Sequence, residues 1–211
     1  MIILVLLVAL EASATTVTAP KEISYTTGDG RAVTSTYDEC RKAAWGEPTP
    51  NDIELAADCL EANIYDPCND ADSYNEVPTC IYYKQKVADR RIERAEQALD
   101  EPVLIFSSGA PPPERTLKAA RIRYQQRLER YCKERANDWE KKYAEDNGAE
   151  AGASNWPEYS SCTLQGTQEW ARELESFINE YKNAKNNHAQ DEVITSLFEF
   201  LDGQSPLYLR E

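Results

Sequence analysis

Residues 80–99, CIYYKQKVADRRIERAEQAL, decide the fold. Val87, Ala88, Ile92, Ala95 and Leu99 recur at intervals of three and four. That spacing gives a helix one apolar stripe and leaves its charged residues on the other side. Downstream, Ser107-Ser108-Gly109 and Pro111-Pro112-Pro113 break the pattern, so 102–113 is expected to be a connection. The stepping resumes with Leu117, Ala120, Tyr124, Leu128, Tyr131, Arg135 and Trp139. It predicts a second helix from Glu114 to about Ala144, about 47 Å long. A second connection, 146–159, is rich in Gly, Ala, Ser and Asn. A third helix is expected after Cys162, with Trp170, Leu174, Phe177, Ile178 and Tyr181 on one face. Asp191 is expected to cap a last short helix carrying Val193, Ile194, Leu197, Phe198 and Leu201. Trp139 and Trp170 lie on apolar stripes and are assigned to the core.

Upstream of Cys80 the signals are shorter. Thr15 to Thr36 is polar, with extended character around Ile23 to Tyr25, but no strand pair stands out. Pro48 to Asn51 interrupts the chain, and Asn51 with Glu54 makes a capping-box pattern. A helical hairpin over about 37–46 and 52–63 follows, placing Cys40 opposite Cys59. At the start, Ile2 to Leu10 is an unbroken apolar run followed by Ala12-Ser13-Ala14. This reads as a secretory signal cut before Thr15. Nine residues fall short of the roughly 20 that cross a bilayer. The missing basic residues before the run are consistent with a start further upstream. The expected organisation is thus a signal peptide (1–14), an arm and helical hairpin (15–66), a helical domain (67–182) and a tail with a short helix (183–211). The fold class is all-α, a disulfide-stapled antiparallel helical bundle.

Six cysteines, Cys40, Cys59, Cys68, Cys80, Cys132 and Cys162, all follow the signal. An even number in an exported chain reads as three disulfides. Zinc would want close CxxC pairs or accompanying histidines, and His188 is the single histidine. Of the fifteen possible pairings, the preferred set is Cys40–Cys59, Cys80–Cys132 and Cys68–Cys162. It places Cys80 and Cys132 at similar depth on adjacent antiparallel helices. The rival set keeps Cys68–Cys80 local and joins Cys132 to Cys162.

Charge narrows the partners. The 211 residues hold 37 Asp+Glu against 23 Lys+Arg, for a net −14. Nucleic acid is excluded as a partner on this balance, because phosphate binding needs basic patches that release counterions. Cationic partners are favoured. No GxSxG, P-loop, HExxH or Gly-rich dinucleotide turn occurs, and only eight glycines are present. His188, in a polar stretch, reads as a solvated surface residue. Carboxylates are abundant, but no pair stands out as the two that glycoside chemistry requires. The chain is therefore read as a non-enzyme with no cofactor. Trp156, in Ser154-Asn155-Trp156-Pro157, is placed as a contact residue would be.

The spacing from Cys68 to Leu174 resembles the LprI-type domain of exported bacterial proteins, the lysozyme inhibitor LprI family. Its opening cysteines stand twelve residues apart, as do Cys68 and Cys80, with Ser73 and Glu76 between them in a capping-box relation. Its Ala-Asp pair is matched by Ala88-Asp89, and its later elements by Ala120, Cys132, Cys162, Thr167 and Leu174. The family's Gln, Trp and Arg-Asp are replaced by Arg121, Tyr124 and Leu128-Glu129, and an Arg near the end by Trp170. Residues 15–67 and the tail after about 182 lie outside the resemblance. The resemblance implies a small, helical, non-catalytic exported module, periplasmic or secreted, with lysozyme inhibition attributed to some members.

Two functions stand on these observations. One is an inhibitor or binding module acting on lysozyme or another cationic envelope protein. The other is a structural or accessory envelope protein bound to another exported protein. For the first, the connections 102–113 and 146–159 are the candidate contact loops. Trp156 is the expected anchor, with Glu145, Asp146, Glu150 and Glu158 as its acidic surround.

Overall fold

The computed structural model describes residues 23–27, 30, 32–46, 49–71, 76–106, 116–147 and 156–203. The proposed signal, part of each long connection, and Glu150 lie outside them. The element order is β1 (Ile23–Thr26), β2 (Ala32–Ser35), α1 (Tyr37–Trp45), α2 (Pro50–Glu61), a 3-10 turn (Pro67–Asn69), α3 (Val77–Phe106), α4 (Leu117–Asn147), α5 (Trp156–Asn183) and α6 (Asn187–Leu201). The protein is all-α apart from its first two elements, and three disulfides staple it.

β1 and β2 form an antiparallel pair, Ile23 opposite Ser35 and Thr26 opposite Ala32, which the sequence reading lacked. β1 alternates apolar and polar residues, Ile23-Ser24-Tyr25-Thr26, but each strand is only four residues long and Ala32 to Ser35 shows no such alternation, so the pair gives little signal. The expected helical hairpin is present as α1 and α2, and Cys40–Cys59 joins them. Both helices open with capping boxes, Thr36 with Glu39 and Thr49 with Asp52. The cap of α2 is therefore Thr49, not Asn51. Pro50 follows it in the first turn, where a missing N–H is harmless.

Side-chain pairs fix the directions of the long helices. Tyr124 with Gly166, Cys132 with Cys162, and Arg135 with Glu158 show α4 and α5 to be antiparallel. Gln85 with Thr167 and Arg91 with Glu175 show α3 and α5 to be parallel. Most long-helix packing is α3 on α5 and α4 on α5, with little between α3 and α4. That arrangement overturns two of the three preferred disulfides. Cys132 faces α5 and bonds Cys162, while Cys68 and Cys80 close a local loop at the entry of α3. Chain adjacency had put α4 beside α3, whereas α5 fills the position between them.

The main core collects Ile92 and Leu99 of α3, Leu117 and Ala120 of α4, Trp170 and Leu174 of α5, and Ile194 and Leu197 of α6. Trp170 stacks on Tyr124 (4.3 Å between centroids) and against Phe200 (4.7 Å). Gly166 lets α4 and α5 close: a Cβ there would overlap the Leu128 methyls. A smaller core of Cys40, Ala43, Ala56, Cys59, Tyr65 and Tyr83 docks the hairpin onto α3.

Three helix ends differ from expectation. α3 continues through Pro102 to Phe106, because Val103 carries the buried stripe one turn further. α5 begins at Trp156, six residues before Cys162, with Pro157 in its first turn acting as an initiator and not a breaker. Asn186, whose side chain accepts from the Ala189 N–H, caps α6 in place of Asp191.

Candidate functional site

Two features at one end of the bundle bear on function. The first is the far half of α4. Cys132–Cys162 and Arg135–Glu158 set the register between α4 and α5, and by that register Trp156 stands opposite Asp138. Residues 139–147 therefore run past the first residue of α5, by about 13 Å at 1.5 Å per residue. Trp139 is 39% exposed and stacks on the exposed Tyr143, with ring centroids 5.2 Å apart. Its assignment to the core is thus corrected. It continues the stripe of Leu128, Cys132 and Ala136, but it lies beyond the point where the partner helix starts. Glu145 and Asp146 are exposed in the last turn of the same helix.

The second feature is an open groove of about 390 Å³ where the starts of α3 and α5 meet the middle of α4. Tyr82 (50% exposed) and Trp156 (40% exposed) line it, with Gln85, Gln125 and Thr167 among its polar groups. The Gln85 amide donates to the Thr167 hydroxyl (3.0 Å), which donates to the Thr163 carbonyl (2.8 Å), so this wall is held in place.

The expected contact residues are thereby divided. Trp156 belongs to the groove, on a helix and not on a loop. Glu158 is held by Arg135 (2.6 Å) rather than left to steer a partner. Glu145 and Asp146 belong to the projecting end of α4, and Glu150 lies outside the described residues. The cysteines are consumed in the three staples, and among the described residues there is no free cysteine. His188 is exposed and paired with Glu192 (3.4 Å). No cluster of three His, Cys, Asp or Glu among the described residues is arranged to hold a metal ion, and no described helix is long and apolar enough to cross a membrane.

Electrostatics ties the elements together. Arg90 of α3 bonds Asp58 (2.8 Å) and Glu54 of α2, while Arg94 bonds Glu61 (2.5 Å). Hydrogen bonds from Lys86 and then Arg90 hold the Glu54 carboxyl below its ordinary range. Arg121 of α4 bonds Asp89 (3.2 Å) of α3 and approaches Glu93 (3.8 Å) and Glu96 (3.6 Å). Burial pushes both Asp89 and Glu96 up despite that guanidinium. The Glu96 Oε1 atom has no hydrogen-bond partner among the described residues.

A pH prediction follows from Glu96. Between its unfolded and its higher folded pKa the native chain binds more protons, so this group's contribution to stability falls as pH rises through that window. Glu96→Gln removes the buried charge and is expected to raise the urea midpoint at pH 7. The gain should vanish near pH 3, where the glutamate is protonated in both states. A variant less stable than wild type at pH 7 would show that Arg121 outweighs the burial.

Compared with models of known protein families, with curated proteins and with solved structures, the chain finds no match.

Proposed function

We propose that this is an exported, non-catalytic binding module that engages a cationic glycan hydrolase of the lysozyme kind and obstructs its cleft. The observation that carries the reading is the projecting end of α4, a single helix about 10–12 Å across that presents stacked Trp139 and Tyr143. Tryptophan and tyrosine anchors supply most of the energy at protein interfaces, and charges around them mainly steer encounter. Asp146 falls on the same helix face as the aromatics, three residues after Tyr143, Glu145 is in the same turn, and the whole chain is acidic. Three disulfides and the apolar run at 2–10 support export to the periplasm or the exterior. The resemblance over residues 68–174 supports the hydrolase as partner. The anchor is Trp139 in this reading, because Trp156 lines the groove.

The test is inhibition and binding against a panel of lysozymes. Trp139→Ala should weaken binding by about 2 kcal/mol, roughly thirtyfold, with the bundle still folded because the side chain is exposed. Neutralising Glu145 and Asp146 should chiefly slow association and flatten its salt dependence. If wild type binds and Trp139→Ala is silent, the anchor lies elsewhere. If nothing binds, the accessory envelope role is the reading that remains.

A further inference from the structure

We propose that the groove between the starts of α3 and α5 and the middle of α4 is a binding site for a short neutral oligosaccharide. This goes beyond the hydrolase reading and uses different residues.

Its chemistry is unlike the rest of the surface. Charged residues make up 28% of the chain, yet Glu129 is the one charged side chain among the described residues lining the groove. A phosphate, a nucleotide or an acidic peptide would find no counter-charge among these residues, and a basic peptide would find Glu129 alone. A lipid tail would need an enclosed wall, whereas this groove is open, with amides and hydroxyls set among its apolar and aromatic side chains. What it does offer is exposed aromatic rings, Tyr82 and Trp156, together with Gln85 and Gln125. The carbon–hydrogen face of a pyranose packs on an aromatic ring as other apolar surface does. Its hydroxyls are donors and acceptors at once, which a carboxamide, with both a carbonyl and an NH₂, can match. The volume of about 390 Å³ lies within the usual range for small-molecule sites.

The site is also built in advance. Gln85 is fixed by its bond to Thr167, and Thr167 by its bond to the Thr163 carbonyl, so ordering these groups is not left to the ligand. The start of α5 that carries Trp156 is tied to α4 by Cys132–Cys162. Among the described lining residues Glu129 is the single carboxylate, not the pair that glycosidic cleavage ordinarily uses, and binding alone is proposed.

The test uses the mature chain with two probes, the tetrasaccharide of N-acetylglucosamine and cellotetraose, read by calorimetry and tryptophan fluorescence. Saturable one-to-one binding of either is expected, unchanged between 0.05 and 0.5 M salt on the order of the error, since the lining is nearly uncharged. Trp156→Ala and Gln125→Ala should each weaken it by about tenfold or more, whereas Trp156→Phe should stay within about threefold. Trp139→Ala should bind as wild type, which separates this site from the hydrolase contact. Near-ultraviolet circular dichroism confirms that each variant is folded. Failure of both probes to saturate would overturn the proposal, and so would wild-type affinity in Trp156→Ala. Neither result bears on the projecting end of α4.

Discussion

Trp170→Ala is expected to destabilise the protein by about 3–5 kcal/mol, the usual loss when a buried aromatic is truncated. Trp170 is fully enclosed at the centre of the main core and touches three helices at once. It stacks on Tyr124 of α4, packs against Phe200 of α6, and sits among Ile92 and Leu99 of α3. No single neighbour can collapse into the space it leaves. Trp170→Phe should lose much less, because a ring stays stacked and the indole N–H has no hydrogen-bond partner among the described residues to forfeit. Urea unfolding at 25 °C checks both, with an unchanged slope showing that the loss is one of stability. A loss below about 1 kcal/mol for the alanine variant would mean that the four-helix core is not organised around this residue.

The second large effect concerns the docking of the hairpin. Arg90→Ala should cost about 3–5 kcal/mol in the stability of α1 and α2 on α3. The Asp58 side chain is only 4% exposed and receives the Arg90 guanidinium at 2.8 Å, with Glu54 on the same guanidinium. Without Arg90 the buried carboxylate loses this guanidinium as a counter-charge. The double variant Asp58→Asn with Arg90→Ala should therefore regain more than half of the loss, since it also removes the charge that was stranded. Native-state hydrogen exchange locates the effect. Protection should fall in α2 well before it falls in α5, because the lost ion pairs lie between α2 and α3 while α5 is held in the main core. Equal loss in both helices would show that hairpin and bundle open as one unit.

How much of this was legible depended on whether a signal was local. The stripes of Ile92, Ala95 and Leu99, and of Trp170 and Leu174, need only a helix with one buried side, and they are buried as their period predicts. Cys40–Cys59 was legible for the same reason, since a hairpin brings its two arms together wherever else it packs. The other two disulfides required knowing which long helix lies between which. Chain order suggested α3 beside α4, and only the side-chain register shows α5 between them. Trp139 fails in a related way: periodicity places it on a stripe but cannot tell that α5 begins too late to cover it. Trp156 and Pro157 looked like loop residues because proline marks helix starts as well as breaks. The groove was invisible in the sequence because its residues come from three helices and belong to no motif. A hint lay in the aromatic and amide side chains of Tyr82, Gln85 and Gln125 on the polar flanks of two long helices.

The claim that most depends on measurement is that this acidic module binds a cationic glycan hydrolase. Calorimetric titration of the mature, disulfide-intact protein into cationic lysozymes at about 0.05 M and about 0.3 M salt tests it directly. The account predicts one-to-one binding to at least one of them, weakened as salt screens the opposed charges. Absence of binding across the panel at low salt would contradict it.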